Sequence, residues 1–155
     1  MSTTTHSTTH GGGCQCGKVR YAADLPNNHA YLCHCRMCQR ATGGVAAAFV
    51  QVATQALRWE HEPQWYASSP IAERPFCANC GTPLGFRFNE GQNMDLTAGS
   101  FDDPSVFVPT GHAGAESLDE AVGGGIGGVA RPRDVQFAQL RVAQLDASVG
   151  GLVDG

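Results

Sequence analysis

Three cysteine groups constrain this chain more than any other feature. "CQC" at Cys14 to Cys16, "CHCRMC" at Cys33 to Cys38 and "CANC" at Cys77 to Cys80 contain all seven of its cysteines. An odd number of thiols cannot pair completely within one chain. In a reducing compartment, thiols this close together serve as metal ligands or catalytic groups rather than as disulfides. The density here points to metal, with redox thiols as the lesser alternative.

The remaining composition narrows the classes. A length of 155 residues suits one domain with a modest core. The net charge is −4, and the ten Lys and Arg are scattered singly, so no basic stripe is available to track a phosphate backbone. Nucleic acid is therefore not an expected partner. The best apolar run, "VAAAFV" at Val45 to Val50, falls well short of the roughly 18 residues of a membrane span. The opening "MSTTTHSTTHGGG" has neither a basic patch nor an apolar signal core. A cytoplasmic protein without a membrane partner is the expectation, and oligomeric state is not legible.

Along the chain, short β-like runs alternate with turn signals. "KVRYAA", "AAAFVQV", "LRWE", "QWYA", "PLGFRF" and "NMDLTAG" are separated by "LPNN", "EP", "SSP" and "NEG". The pattern predicts a mainly β fold with few short helices. One helix is expected just after Cys38, at "QRATG", and another at "AESLDEAV", with Ser117 and Glu120 spaced as a capping box. Residues 1–12, rich in Ser, Thr, His and Gly, read as a disordered lead-in. Residues 13–122 form the expected zinc domain. Residues 123–155 begin with the connector-like "GGGIGG" and continue as a C-terminal segment packed on, or trailing, the same domain.

A closed structural zinc takes four ligands in a tetrahedron. Cys14 and Cys16, followed by Gly17, and Cys77 and Cys80, followed by Gly81, resemble two halves of such a site. In each, Gly beside a thiolate lets the backbone turn through left-handed conformations. Cys33, Cys35 and Cys38 then remain. Three protein ligands leave a fourth position for water or substrate, the arrangement of a catalytic zinc. Alternatives stand at this point. His29, His61 or His112 can supply a fourth donor, which closes the second site. His34 is the nearest candidate, yet it is wedged between two ligands and should point away from their metal. A partition joining Cys33 and Cys35 to Cys77 and Cys80 satisfies the same ligand count.

The order "CQCGKVRY", "CHCRMCQRATGG", "RPFCANCGTPLGFRF", "GSFDDP" and a following "GH" closely resembles the glutathione-dependent formaldehyde-activating enzyme family, which also includes centromere-protein-V domains. The likeness runs from about Gly13 to His112. It implies a β-tent-like zinc-binding fold of several small coiled antiparallel sheets. It implies two Zn2+ per chain: Cys14, Cys16, Cys77 and Cys80 on a structural zinc, and Cys33, Cys35 and Cys38 on a catalytic one. It also implies a carbon–sulfur lyase activity, with glutathione and formaldehyde giving S-hydroxymethylglutathione, so that the partners are a small-molecule thiol and an aldehyde. The alternative is a non-enzymatic carrier of glutathione or another small thiol, or a zinc-stabilised interaction module, because a fold does not confer an activity. After His112 the chain departs from the family pattern: the aliphatic residue and the tryptophan expected there are missing.

Other residues carry weaker expectations. Arg36, Arg40, Lys18 and Arg74 can meet a carboxylate of a peptide-like thiol, but solvated surface charge is the simpler reading. Asp102 and Asp103 can act as general acid or base, while an Asp-Asp-Pro run favours a turn with local side-chain bonds. Trp59, Trp65, Tyr66, Phe86 and Phe88 can wall a cleft, with core packing the ordinary explanation.

Overall fold

The computed structural model describes residues 8–25 and 29–114. They contain ten strands and one α-helix: β1 (Thr8–Gly13), β2 (Arg20–Leu25), β3 (His29–Cys33), α1 (Arg36–Thr42), β4 (Ala47–Ala53), β5 (Leu57–His61), β6 (Gln64–Ser69), β7 (Ala72–Phe76), β8 (Gly85–Phe88), β9 (Asn93–Thr97) and β10 (Pro109–Ala113). The protein is mainly β, as its turn-punctuated sequence predicts. The helix expected at "AESLDEAV", the glycine-rich connector and the C-terminal segment lie outside the described residues.

The chain divides into two compact units, Met1–Ala30 with Ala48–Val108, and Tyr31–Ala47 with Pro109–Gly155. Composition shows no boundary between them because each unit joins segments far apart in sequence.

In the first unit, β1, β2 and β5 form an antiparallel sheet, with β2 in the middle. A second antiparallel run follows the order β4-β9-β8-β7-β6. Strand β2 alternates half-buried and buried residues, so Tyr21, Ala23 and Leu25 face the core. There they join Val50, Val52, Met94, Leu96 and Phe101. Tyr21 meets Trp59 and Phe101 edge-on, with ring centroids 5.4 and 5.6 Å away. Its buried hydroxyl lies 2.8 Å from Ser100 Oγ. Ser100 donates its single proton to the Thr97 carbonyl at 2.7 Å, so Tyr21 is the donor in that pair.

Strand β1 occupies part of the expected lead-in. Its six residues pair in register with β2, from Thr8 opposite Leu25 to Gly13 opposite Arg20. The glycines that read as low complexity serve close packing, since a Cβ at Gly12 would strike the Tyr21 ring and the Ser100 carbonyl. Arg74 also differs from its expected surface role. It is only 9% exposed and its guanidinium lies 4.9 Å from the Phe86 ring centroid.

In the second unit, β10 is hydrogen-bonded to β3. Helix α1 starts at Arg36 rather than after Cys38. Cys35 is its N-cap, its Sγ accepting the Cys38 N–H at 3.4 Å, a role that Ser or Asp usually fills. Gly43 ends the helix in the left-handed region, donating its N–H to the Gln39 carbonyl at 2.8 Å.

Candidate metal centres

The first unit gathers the sulfurs of Cys14, Cys16, Cys77 and Cys80 to within 4.8 Å of one another. Two tight turns aim them. Gly17 (φ +76°) donates its N–H to Cys14 O at 3.0 Å, and Gly81 (φ +75°) does the same to Cys77 O at 2.8 Å. Both glycines adopt the left-handed backbone that their position after a cysteine suggests. Thiolates held about 2.3 Å from a tetrahedral zinc lie roughly 3.8 Å apart. The separations of 3.5 Å for Cys14–Cys16 and 3.7 Å for Cys16–Cys77 suit that geometry.

Donors around this cluster favour thiolates. Val19 N–H reaches Cys14 Sγ at 3.2 Å and Asn79 Nδ2 reaches Cys16 Sγ at 3.3 Å. Lys18 Nζ in turn donates to Asn79 Oδ1 at 2.7 Å, which orients that amide. Thr82 Oγ1 accepts the Gln15 N–H and lies 3.1 Å from Cys80 Sγ, so its own proton is available to that sulfur. The Thr82 hydroxyl is the main reason that the Cys80 thiol is lowered to about 5. For Cys14, burial works upward, but the Val19 N–H and the Cys16 and Cys77 thiols outweigh it and the net direction is down. Burial pushes Cys77 up to about 11. A cluster that withholds ionisation from one thiol while easing it in others is suited to a cation that neutralises all four.

The second unit gathers Cys33, Cys35 and Cys38, again with sulfurs within 4.8 Å of one another and with Cys33 and Cys35 at 3.5 Å. Cys33 and Cys38 are buried and Cys35 is half-buried. The Cys33 thiol is pushed far above its ordinary value, first by its hydrogen bonds with Cys35 and Cys38 and then by burial. Three adjacent sulfurs cannot all ionise unless positive charge is supplied, so the donor set fits a divalent metal. No His, Asp or Glu joins this group among the described residues.

The histidines weighed as a fourth donor lie elsewhere. His29 and His61 are exposed and belong to neither cluster. His34 is 1% exposed and does not join the sulfur group; its Nε2 lies 2.8 Å from His112 Nδ1. The carboxylates of "SFDDP" have structural partners. Asp103 Oδ1 accepts the Ser105 N–H at 2.9 Å, closing the turn, and Asp102 pairs with Arg20. Trp59 and Trp65 pack on the core, their rings 6.2 Å apart, whereas Tyr66 is exposed. Sequence reasoning did not single out Asn79 and Thr82, although one lies inside "CANC" and the other just after it. Nor did it find the pairing of His34 with His112, which only the fold brings together.

The fold and its sulfur clusters define a class: a mainly β protein with two cysteine clusters that could each hold a metal ion, one of four sulfurs and one of three. Within that class, the chain belongs to the glutathione-dependent formaldehyde-activating enzyme family, whose profile matches residues 9–116. It is 33% identical, over 82 residues, to an uncharacterized lyase of Schizosaccharomyces pombe. That match covers 53% of this chain and 60% of the relative's own length. The crystal structure of a Rhodobacter sphaeroides protein shares the fold, with a TM-score of 0.50, 22% identity, and coverage of 59% of this chain and 87% of that one. No helix among the described residues is long and apolar enough to cross a membrane.

Proposed function

We propose that the protein is a zinc-dependent carbon–sulfur lyase acting on a thiol–aldehyde adduct, with glutathione and formaldehyde as the substrates its family points to. One observation carries the reading: Cys33, Cys35 and Cys38 converge on a single point with no fourth protein donor among the described residues. The four-sulfur cluster then has a structural role.

Zinc bound to the three cysteines would supply a positive centre that lowers the pKa of a thiol ligand or polarises an aldehyde oxygen. The cysteines tilt the choice between these. Three thiolates already outweigh the charge of a divalent ion, which weakens its pull on a carbonyl oxygen and favours holding the substrate sulfur. In the adduct-forming direction, that sulfur adds to the aldehyde carbon. A C–S bond forms, the C=O π bond is lost, and the thiol proton ends on oxygen. No oxidant or reductant is required. Cys35, the most accessible of the three, marks the side on which the cluster meets solvent. Holding a thiol where an aldehyde can approach raises the effective concentration of one reactant at the other. The S. pombe relative, named a lyase, supports the same class.

The test is exchange spectroscopy of glutathione with formaldehyde in the presence of zinc, because the uncatalysed reaction is already facile. The control is the same protein with Cys33, Cys35 and Cys38 replaced by serine. The wild type should exceed both buffer and that variant. Equal rates in all three, with glutathione still bound, establish a thiol carrier instead.

A further inference from the structure

We infer that His34, His112 and Gly114 form an anchor on the back of the three-cysteine loop, orienting Cys33 and Cys35 toward one metal. This rests on the proposed reading only in that the loop binds a metal, and not on the lyase reaction.

The argument begins with backbone alternation. Along an extended segment, residues one apart face opposite sides and residues two apart share a side. Cys33 ends β3 and Cys35 is extended at φ −62°, ψ 146°, and their sulfurs are 3.5 Å apart on one side. His34 therefore projects to the other side, and whatever fixes it there fixes the direction of both sulfurs.

Three consecutive residues, the last two of β10 and Gly114 just after it, do this. His112 Nδ1 lies 2.8 Å from His34 Nε2, and the two rings stack with 24° between their planes. The Ala113 carbonyl accepts the His34 backbone N–H at 2.8 Å. Gly114, at φ +63°, brings its backbone so near Cys35 that a Cβ would lie 2.7 Å from Cys35 N and 2.9 Å from Cys35 Cβ. These atoms belong to the loop itself, so any side chain at residue 114 would displace a ligand.

The His34 and His112 rings are joined by one hydrogen bond, in which one ring nitrogen donates and the other accepts. A substitution can preserve or remove that bond. His34 is a positioning residue, the counterpart of the outer hydrogen bonds that hold metal ligands in line.

The test uses the full chain with zinc or cobalt alone as the probe. Chelator competition reads zinc affinity at the three-sulfur centre, and cobalt absorption bands read its geometry. His112→Ala and Gly114→Ala should each weaken that zinc by about tenfold or more, the range seen when outer partners of metal ligands are removed. Their cobalt spectra should change, and the four-sulfur centre should keep its metal. His112→Asn retains an amide donor and acceptor near Nδ1 and should recover most of the affinity. Wild-type affinity and spectrum in both His112→Ala and Gly114→Ala overturn the proposal. So does a His112→Asn variant as weak as His112→Ala, since the bond would then be irrelevant. Should Gly114→Ala fail to fold, the two His112 variants decide. Loss of metal affinity on substitution, in a wild type that accelerates no thiol–aldehyde exchange, would support the anchor and reject the lyase.

Discussion

Arg20 and Asp102, 82 positions apart, form a two-pronged ion pair, with Nη1 donating to Oδ1 at 2.8 Å and Nη2 to Oδ2. The bonds from Arg20 hold the Asp102 carboxyl below its ordinary value, despite some opposition from burial. This carboxylate is paired with Arg20 of β2, and we expect no proton-transfer role for it. Asp102→Asn should leave thiol–aldehyde exchange unchanged. The pair is partly exposed, so solvent screening limits its contribution, and surface ion pairs are worth about 0–1 kcal/mol. Chemical denaturation at low and high salt should show a loss within that range that shrinks as salt rises. A large fall in exchange rate at unchanged stability would return Asp102 to the list of proton-transfer groups.

The two cysteine centres should respond differently to loss of a ligand. Structural zinc in small zinc domains contributes about 10–16 kcal/mol of binding free energy. That is comparable with the roughly 5–15 kcal/mol by which whole domains are stable. Cys14→Ser or Cys77→Ser should therefore cripple folding, seen as lost thermal cooperativity. Cys35→Ser should instead release about one zinc equivalent, on the basis of one metal per site. Its added cost is the N-cap of α1, about 1 kcal/mol. Metal analysis beside circular dichroism distinguishes these outcomes. Unchanged zinc content and stability in Cys14→Ser and Cys77→Ser would remove them from a structural role.

How much the sequence discloses depends on how local each cause is. Strands β2, β4 and β5 were legible because their apolar residues lie in short runs between turn residues. Strand β7, with Pro75 inside it, and β10, which reads "PTGHA", lack that signature and exist through their neighbours. Gly12 looked like low complexity because its reason is the ring of Tyr21, which lies on another strand. Spacing and ligand counting admit the observed sulfur groups among other partitions, and the folded chain brings together Cys14, Cys16, Cys77 and Cys80 apart from Cys33, Cys35 and Cys38. The surroundings of the sulfurs are not legible at all: Asn79 and Thr82, which meet Cys16 and Cys80, and His112, which meets His34, act through contacts that only the fold creates.

Strand β2 also gives a pH dependence. Asp24 accepts Arg58 Nη1 at 2.8 Å and the hydroxyl of Thr9, its cross-strand neighbour. Arg58 first and Thr9 second lower its pKa from 3.8 to about 2. A folded-state value below the unfolded one means that this contribution is complete above about 4 and disappears as pH falls toward about 2. Asp24→Asn should flatten that part of the acid-unfolding curve without altering the neutral region's slope. An unchanged acid limb would show that the pairing does not persist in solution.

Gly12→Ala tests the claim that β1 is part of the fold. Gly12 pairs with Tyr21, bridges to Phe101, and has no room for a Cβ beside the Tyr21 ring and the Ser100 carbonyl. The ring cannot swing aside, because Trp59 and Phe101 hold its edges and Ser100 accepts its proton. The Ser100 carbonyl is backbone and yields no more easily. The added methyl must therefore push β1 away from β2 or break the Tyr21–Ser100 bond. Inserting a methyl into a packed site costs about 1–3 kcal/mol, and the loss of a buried hydrogen bond adds about 1 kcal/mol. Gly11→Ala differs, since its Cβ would meet the far end of the Asp102 side chain, which can move. Denaturation midpoints should rank wild type, Gly11→Ala and Gly12→Ala in falling order, and hydrogen exchange should show the loss concentrated in β1 and β2. Equal midpoints for the three would mean that the strand contributes nothing to stability and that Tyr21 is held from its other side alone.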